Sequence, residues 1–192
     1  MEAFLVSSGI VALAEMGDKT QLLALVLAAR FRKPVPIILG ILIATLFNHA
    51  FAGAVGHAVT QLLGPDVLRW VLGLSFLLMA GWILIPDKID DDDTRVASRY
   101  GVFGATLIAF FLAEMGDKTQ VATVALAAHY ANFISVVAGT TVGMLLANVP
   151  AVLVGNKIAN RIPLKLVHGV AAGLFVILGL LTLFNVGNLL PQ

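Results

Sequence analysis

Residues 13–21 read LAEMGDKTQ, and residues 112–120, ninety-nine positions later, read LAEMGDKTQ again. Each copy lies inside a long apolar run and brings a glutamate, an aspartate and a lysine with it: Glu15, Asp18 and Lys19 in the first, Glu114, Asp117 and Lys118 in the second. A charged side chain at the centre of a membrane helix costs about 2.5–3.5 kcal/mol. Six of them left alone would cost about 15–21 kcal/mol on that scale, more than the whole stability of an ordinary domain, about 5–15 kcal/mol. They must face one another, water or an ion.

The surroundings of the motifs decide the fold class. Of 192 residues, 59% are hydrophobic and only 12% charged, with mean hydropathy +0.98. A soluble domain carries roughly 25% charged residues, so this chain lacks the polar material for a water-facing coat. Composition therefore predicts an all-α integral membrane protein. No strand alternation of the outer-membrane barrel kind is visible. The absence of cysteine excludes disulfides and thiolate metal sites. The first apolar run has no basic flank before it and continues through the acidic motif, so it is expected to be a membrane helix and not a cleaved signal peptide.

A membrane helix needs about 20 apolar residues, and six stretches qualify: 3–29, 35–61, 67–85, 100–128, 133–154 and 164–184. The ninety-nine-residue shift aligns more than the motif. It carries Phe4 onto Phe103, Gly40 onto Gly139, Gly56 onto Gly155 and Phe76 onto Phe175. Residues 1–86 are thus read as one three-helix repeat, residues 87–99 as an acidic loop containing Asp90 to Asp93, and residues 100–192 as the second repeat. Three crossings is an odd number, so the second repeat must be inverted, an arrangement with which many secondary transporters build a midplane site. Nine lysines and arginines, Arg30, Arg32, Lys33, Lys88, Arg95, Arg99, Lys157, Arg161 and Lys165, fall on one side and only Arg69 on the other. The positive-inside rule then puts the acidic loop in the cytoplasm and both termini outside.

On continuous helices Glu15 and Asp18 would lie about 60° apart on one face, as would Glu114 and Asp117. One reading pairs each glutamate with the lysine four residues on, as interhelical glue. It leaves both aspartates over, because four carboxylates oppose two lysines; the excess negative charge suits a divalent cation or protons. Gly17 and Gly116 weaken the helix by about 1 kcal/mol each and let backbone carbonyls turn toward an ion. Gln21, Gln120, Thr20 and Thr119 add oxygen ligands close by, or else serve as interhelical hydrogen-bond partners, and Asn48 and Asn148, at similar depth in the second and fifth helices, are candidate metal ligands with Glu15, Asp18, Glu114 and Asp117. His49, beside Asn48, is an imidazole that Mn²⁺ tolerates, whereas Ca²⁺ takes oxygen.

Two copies of E-x-G-D-K-T, one per half, resemble the signature of the calcium/cation antiporter two family, also called uncharacterised protein family sixteen. That family includes Golgi manganese and calcium exchangers, chloroplast manganese transporters and bacterial manganese exporters. Glu15, Gly17, Asp18, Lys19 and Thr20, with Glu114, Gly116, Asp117, Lys118 and Thr119, match the motif position by position. The resemblance implies a transporter and no enzyme: a bacterial inner-membrane protein that exports a divalent cation, Mn²⁺ before Ca²⁺, in exchange for protons or another cation. It implies no cofactor and no nucleic acid; its partners are the ion, the proton and the lipid bilayer. A Ca²⁺/H⁺ antiporter and a passive divalent-cation channel are the alternatives. An intramembrane aspartyl protease, which would resemble G-x-G-D, lacks support because the first glycine is replaced by Glu15 and Glu114.

Overall fold

A computed structural model describes residues 1–85, 100–130, 132–154 and 164–184. Among them every regular element is a helix: α1 (Glu2–Glu15), α2 (Lys19–Phe31), α3 (Pro34–Leu62), α4 (Pro65–Trp82), α5 (Gly101–Glu114), α6 (Lys118–Tyr130), α7 (Phe133–Val154) and α8 (Leu164–Leu183). The acidic run Asp90 to Asp93, together with Lys88, Arg95, Arg99, Gly155, Lys157 and Arg161, lies outside the described residues.

The expectation of unbroken helices over 3–29 and 100–128 is corrected. Each is cut in two inside its motif, at 16–18 and at 115–117. Apolar patterning does not register the cut, because both halves are apolar and the break is a local turn. The other boundaries follow from local chemistry. Arg32 closes α2 in the left-handed region (φ 52°), its N–H donating to Ala28 O at 3.0 Å, and Pro34 then starts α3 at a position where no N–H is needed. Pro65 starts α4 in the same way. Pro150 lies inside α7 and removes one hydrogen bond from its ladder. Of the described helices, α3 and residues 133–153 of α7 are long and apolar enough to cross a membrane.

Packing interleaves the two halves. The long helix α3 packs on α5 and α6, the broken pair of the other half, and α7 packs correspondingly on α1 and α2. Helices α3 and α7 also meet each other, as do α4 and α8. Glycines set these approaches. A Cβ at Gly40 would stand 2.7 Å from Thr106 Cβ; at the repeat-equivalent Gly139 it would stand 2.5 Å from Phe4 O and 3.1 Å from Ser7 Cβ. The shift that relates Gly40 to Gly139 also relates Ser7 to Thr106, so the same contact is made twice.

At Gly56 a Cβ would lie 2.2 Å from Val124 O, a backbone atom that cannot swing aside. Gly56→Ala is therefore expected to lower stability by about 1–3 kcal/mol, the usual cost of overpacking. Gly9→Ala, in α1 with nothing within 4 Å, should be neutral or stabilising. Thermal unfolding of the detergent-purified protein checks the pair; equal midpoints would contradict the close α3–α6 packing.

The distribution of side chains is turned outward relative to a soluble protein. Phe47, Phe51, Leu78 and Ile134 are among the large apolar residues that face out, while Glu15, Asp18, Glu114, Asp117 and Lys118 are all buried. Lipid calls for this arrangement, with apolar side chains outside and charges turned to one another.

Candidate functional site

Both breaks are the same turn. Met16 has φ −64° and ψ 114°, Gly17 has φ 83°, and the Asp18 N–H donates to Glu15 O at 3.1 Å. In the second copy Met115 has φ −63° and ψ 120°, Gly116 has φ 75°, and the Asp117 N–H donates to Glu114 O at 3.1 Å. These are type II β-turns, which need a positive φ at the third residue and hence glycine. The glutamines brace them. Gln21 Oε1 accepts the Gly17 N–H at 2.9 Å, and Gln120 Oε1 accepts the Gly116 N–H at 2.7 Å.

Each turn ends one helix and begins another, so two helix C-termini (α1, α5) and two N-termini (α2, α6) flank the buried acidic side chains. A helix end leaves its last carbonyls without intrahelical partners, and a C-terminus carries partial negative charge that favours a cation. Side chains from other helices tie these segments. Asn48 Nδ2 donates to Phe111 O in the last turn of α5 at 3.1 Å, Gln21 Nε2 donates to Ala147 O in α7 at 2.9 Å, and His168 Nε2 in α8 lies 2.6 Å from Met16 O.

The acidic residues of the two motifs come together. Glu15 and Glu114 are fully buried and Asp18 and Asp117 nearly so. One carboxylate oxygen from each of Glu15, Glu114 and Asp117 lies within 4.8 Å of the others. The lysines cross over: Lys19 Nζ lies 3.3 Å from Asp117 Oδ1, and Lys118 Nζ lies 3.6 Å from Asp18 Oδ1. Lys118 also donates to Ile85 O at 3.1 Å. The pairing of each glutamate with its own lysine, which sequence spacing allowed, is corrected here. The turn breaks the helical register, and each lysine reaches the aspartate of the other half.

The glutamates are left with threonines. Thr20 Oγ1 donates to Glu15 Oε2, and Thr119 Oγ1 donates to Glu114 Oε2 at 3.0 Å. Among the described residues neither glutamate forms an ion pair with a lysine or arginine, though Lys19 attracts Glu114 from a longer distance, and Glu15 Oε1, Glu114 Oε1 and Asp117 Oδ2 have no hydrogen-bond partner. With the aspartates and lysines in crossed pairs, the formal excess of about two negative charges falls to Glu15 and Glu114. Taking an ion out of water costs several kcal/mol unless something compensates it. The chemistry of this donor set, convergent hard oxygens with surplus negative charge, matches a divalent cation or the protons that replace it.

Of the remaining residues picked out in the sequence, Asn148 is fully buried in α7, its Nδ2 donating to Met144 O at 3.0 Å and its Oδ1 without a partner. Asn48 uses its amide on α5, and both glutamine oxygens are engaged at the glycine turns. Sequence reasoning missed His168. Nothing in the pattern marks it, since the repeat places Arg69 at the equivalent position. It also missed the bracing by Gln21 and Gln120, which the shared spacing of glycine and glutamine at i and i+4 could have suggested.

Against known proteins, residues 3–91 and 102–188 match the family described as "Divalent cation/proton antiporter GDT1". A protein of Vibrio cholerae serotype O1 named "Putative manganese exporter" is 56% identical over 185 residues, covering 96% of this chain and 92% of that protein. More distant are "GDT1-like protein 3" of Oryza sativa subsp. indica, 27% identical over 91% of this chain and 71% of its own length, and "GDT1-like protein 5" of Arabidopsis thaliana, 25% identical over 96% of each. No solved structure matches the chain.

Proposed function

We propose, on the premise that the chain belongs to the divalent cation/proton antiporter GDT1 family, that it exports Mn²⁺ from the cytoplasm in exchange for protons moving inward. The observation that carries this reading is the meeting of Glu15, Glu114 and Asp117, from both motifs, in one buried centre, with Asp18 buried beside Lys118. Manganese as the cargo draws support from the name of the Vibrio relative.

In this mechanism the deprotonated carboxylates take the cation from the cytoplasmic side. Glu15 and Glu114 supply the charge that no lysine pairs directly, with Asp117, Asp18 and Asn148 Oδ1 completing the oxygen set. Protons arriving from outside neutralise the carboxylates and release the ion, because closely spaced carboxylates titrate as a coupled set. Lys19 and Lys118 balance the aspartates across the two halves. Gln21, Gln120 and Asn48 serve the site chiefly by holding its turns and helix ends. The six helical units cross the membrane as two inverted three-helix repeats, α1–α2, α3, α4 and α5–α6, α7, α8. Rocking of one half against the other opens the site to each side in turn, in a bacterial inner membrane with both termini outside. The reciprocal packing of α3 on α5–α6 and α7 on α1–α2 supports a repeat of this kind.

The test is ion flux in proteoliposomes under an imposed pH gradient, with Mn²⁺, Ca²⁺ and Mg²⁺ presented separately. Mn²⁺ movement should follow the gradient, collapse when a protonophore abolishes it, and fall at least about tenfold in Asp18→Asn and Asp117→Asn. Flux indifferent to pH and linear in voltage would make the protein a channel. Ca²⁺ carried in preference to Mn²⁺ would make it a Ca²⁺/H⁺ antiporter.

A further inference from the structure

His49 sits in the middle of α3, fully buried, and neither of its ring nitrogens has a hydrogen-bond partner among the described residues. Buried polar atoms are nearly always paired, so an imidazole with both nitrogens open asks what it faces. Its Nε2 lies 3.9 Å from Glu114 Oε2. That is too long for a hydrogen bond, but it suits two donor atoms on one ion. Ligands about 2.0–2.6 Å from a shared metal stand about 3–5 Å from each other.

The repeat sharpens the point. A shift of ninety-nine residues places Asn148 at the position of His49, and Asn148 is likewise buried with an open Oδ1. The two halves are otherwise matched in motif, turn, threonine bond and crossed lysine. At the position of His49 and Asn148 they differ, presenting a nitrogen from one side and an oxygen from the other.

We infer that His49 Nε2 is a direct nitrogen ligand of the transported cation and a determinant of its preference for Mn²⁺ over Ca²⁺. Ca²⁺ takes oxygen ligands, while imidazole suits transition metals. A neutral imidazole also adds a ligand without adding to the negative charge already present. This inference rests on the reading of the carboxylate centre as the cation site.

Pulsed electron paramagnetic resonance of the purified protein with one equivalent of Mn²⁺ tests it. An imidazole ¹⁴N coupling to Mn²⁺ should be present, convert to a ¹⁵N pattern in protein made with ¹⁵N-histidine, and vanish in His49→Asn. In equilibrium competition His49→Asn should bind Mn²⁺ about tenfold or more less tightly relative to Ca²⁺, consistent with the size of effects around a metal site. If His49→Asn does not fold, His49→Gln replaces it, and a coupling that survives in His49→Gln but vanishes in His168→Gln would assign the nitrogen to His168 and overturn the inference. Mn²⁺ binding that is lost in Glu15→Gln but lacks any histidine nitrogen coupling would overturn the role of His49 and leave the carboxylate site standing. Mn²⁺ binding unaffected by Glu15→Gln would remove the site itself, and this inference with it.

Discussion

Glu15→Gln and Glu114→Gln, made separately, are each expected to reduce pH-driven Mn²⁺ flux by at least about 100-fold. Glutamine keeps the shape and the bond from threonine but removes the charge. The two glutamates carry the negative charge that the crossed lysines leave over, so either substitution halves the surplus that holds a divalent ion. Losing even an outer partner of a metal ligand typically costs 10–100-fold, and these side chains are placed as ligands. Each also supplies an oxygen with no other partner. Flux in proteoliposomes, normalised to protein that elutes as a single folded species, is the measurement. Either variant running within a factor of two of the native rate would contradict the assignment.

Gly116→Ala is expected to cut transport by about five- to thirtyfold while leaving helix content and expression near native. At φ 75° a Cβ meets no atom within 4 Å, so the penalty is conformational and not steric. A left-handed residue with a Cβ costs roughly 1–2 kcal/mol, and each 1.36 kcal/mol corresponds to a tenfold change. The strain falls on the turn that sets Glu114 and Asp117, and a continuous helix across 114–118 becomes the cheaper structure. Gly17→Ala, at φ 83°, should behave alike. Circular dichroism with flux separates the outcomes. Unchanged flux in Gly116→Ala would mean that the turn is not needed.

These two predictions draw on what the sequence made plain and on what it concealed. The duplicated LAEMGDKTQ announced that acidic residues from two related halves belong to one protein interior, and their cost in an apolar run forced them to face each other. The membrane class followed from the scarcity of charge alone. The helix breaks were concealed because windowed hydropathy runs straight through Met16 and Met115; only the turn chemistry of Met-Gly followed by aspartate carried the signal. The crossed lysines were concealed for a different reason. Lys19 lies one helical turn from Glu15 in the sequence but bonds Asp117, and nothing short of the packing of one half on the other decides between them. His168 and its contact with the Met16 carbonyl breaks the repeat, so comparison of the halves could not find it.

The central claim is that the two motifs make a single site for one ion, and counting bound Mn²⁺ tests it most directly. Equilibrium dialysis of the purified protein should give one ion per chain, and Glu15→Gln alone or Glu114→Gln alone should each abolish it. Two ions per chain, with each variant losing one and keeping the other, would establish two independent sites and contradict the account.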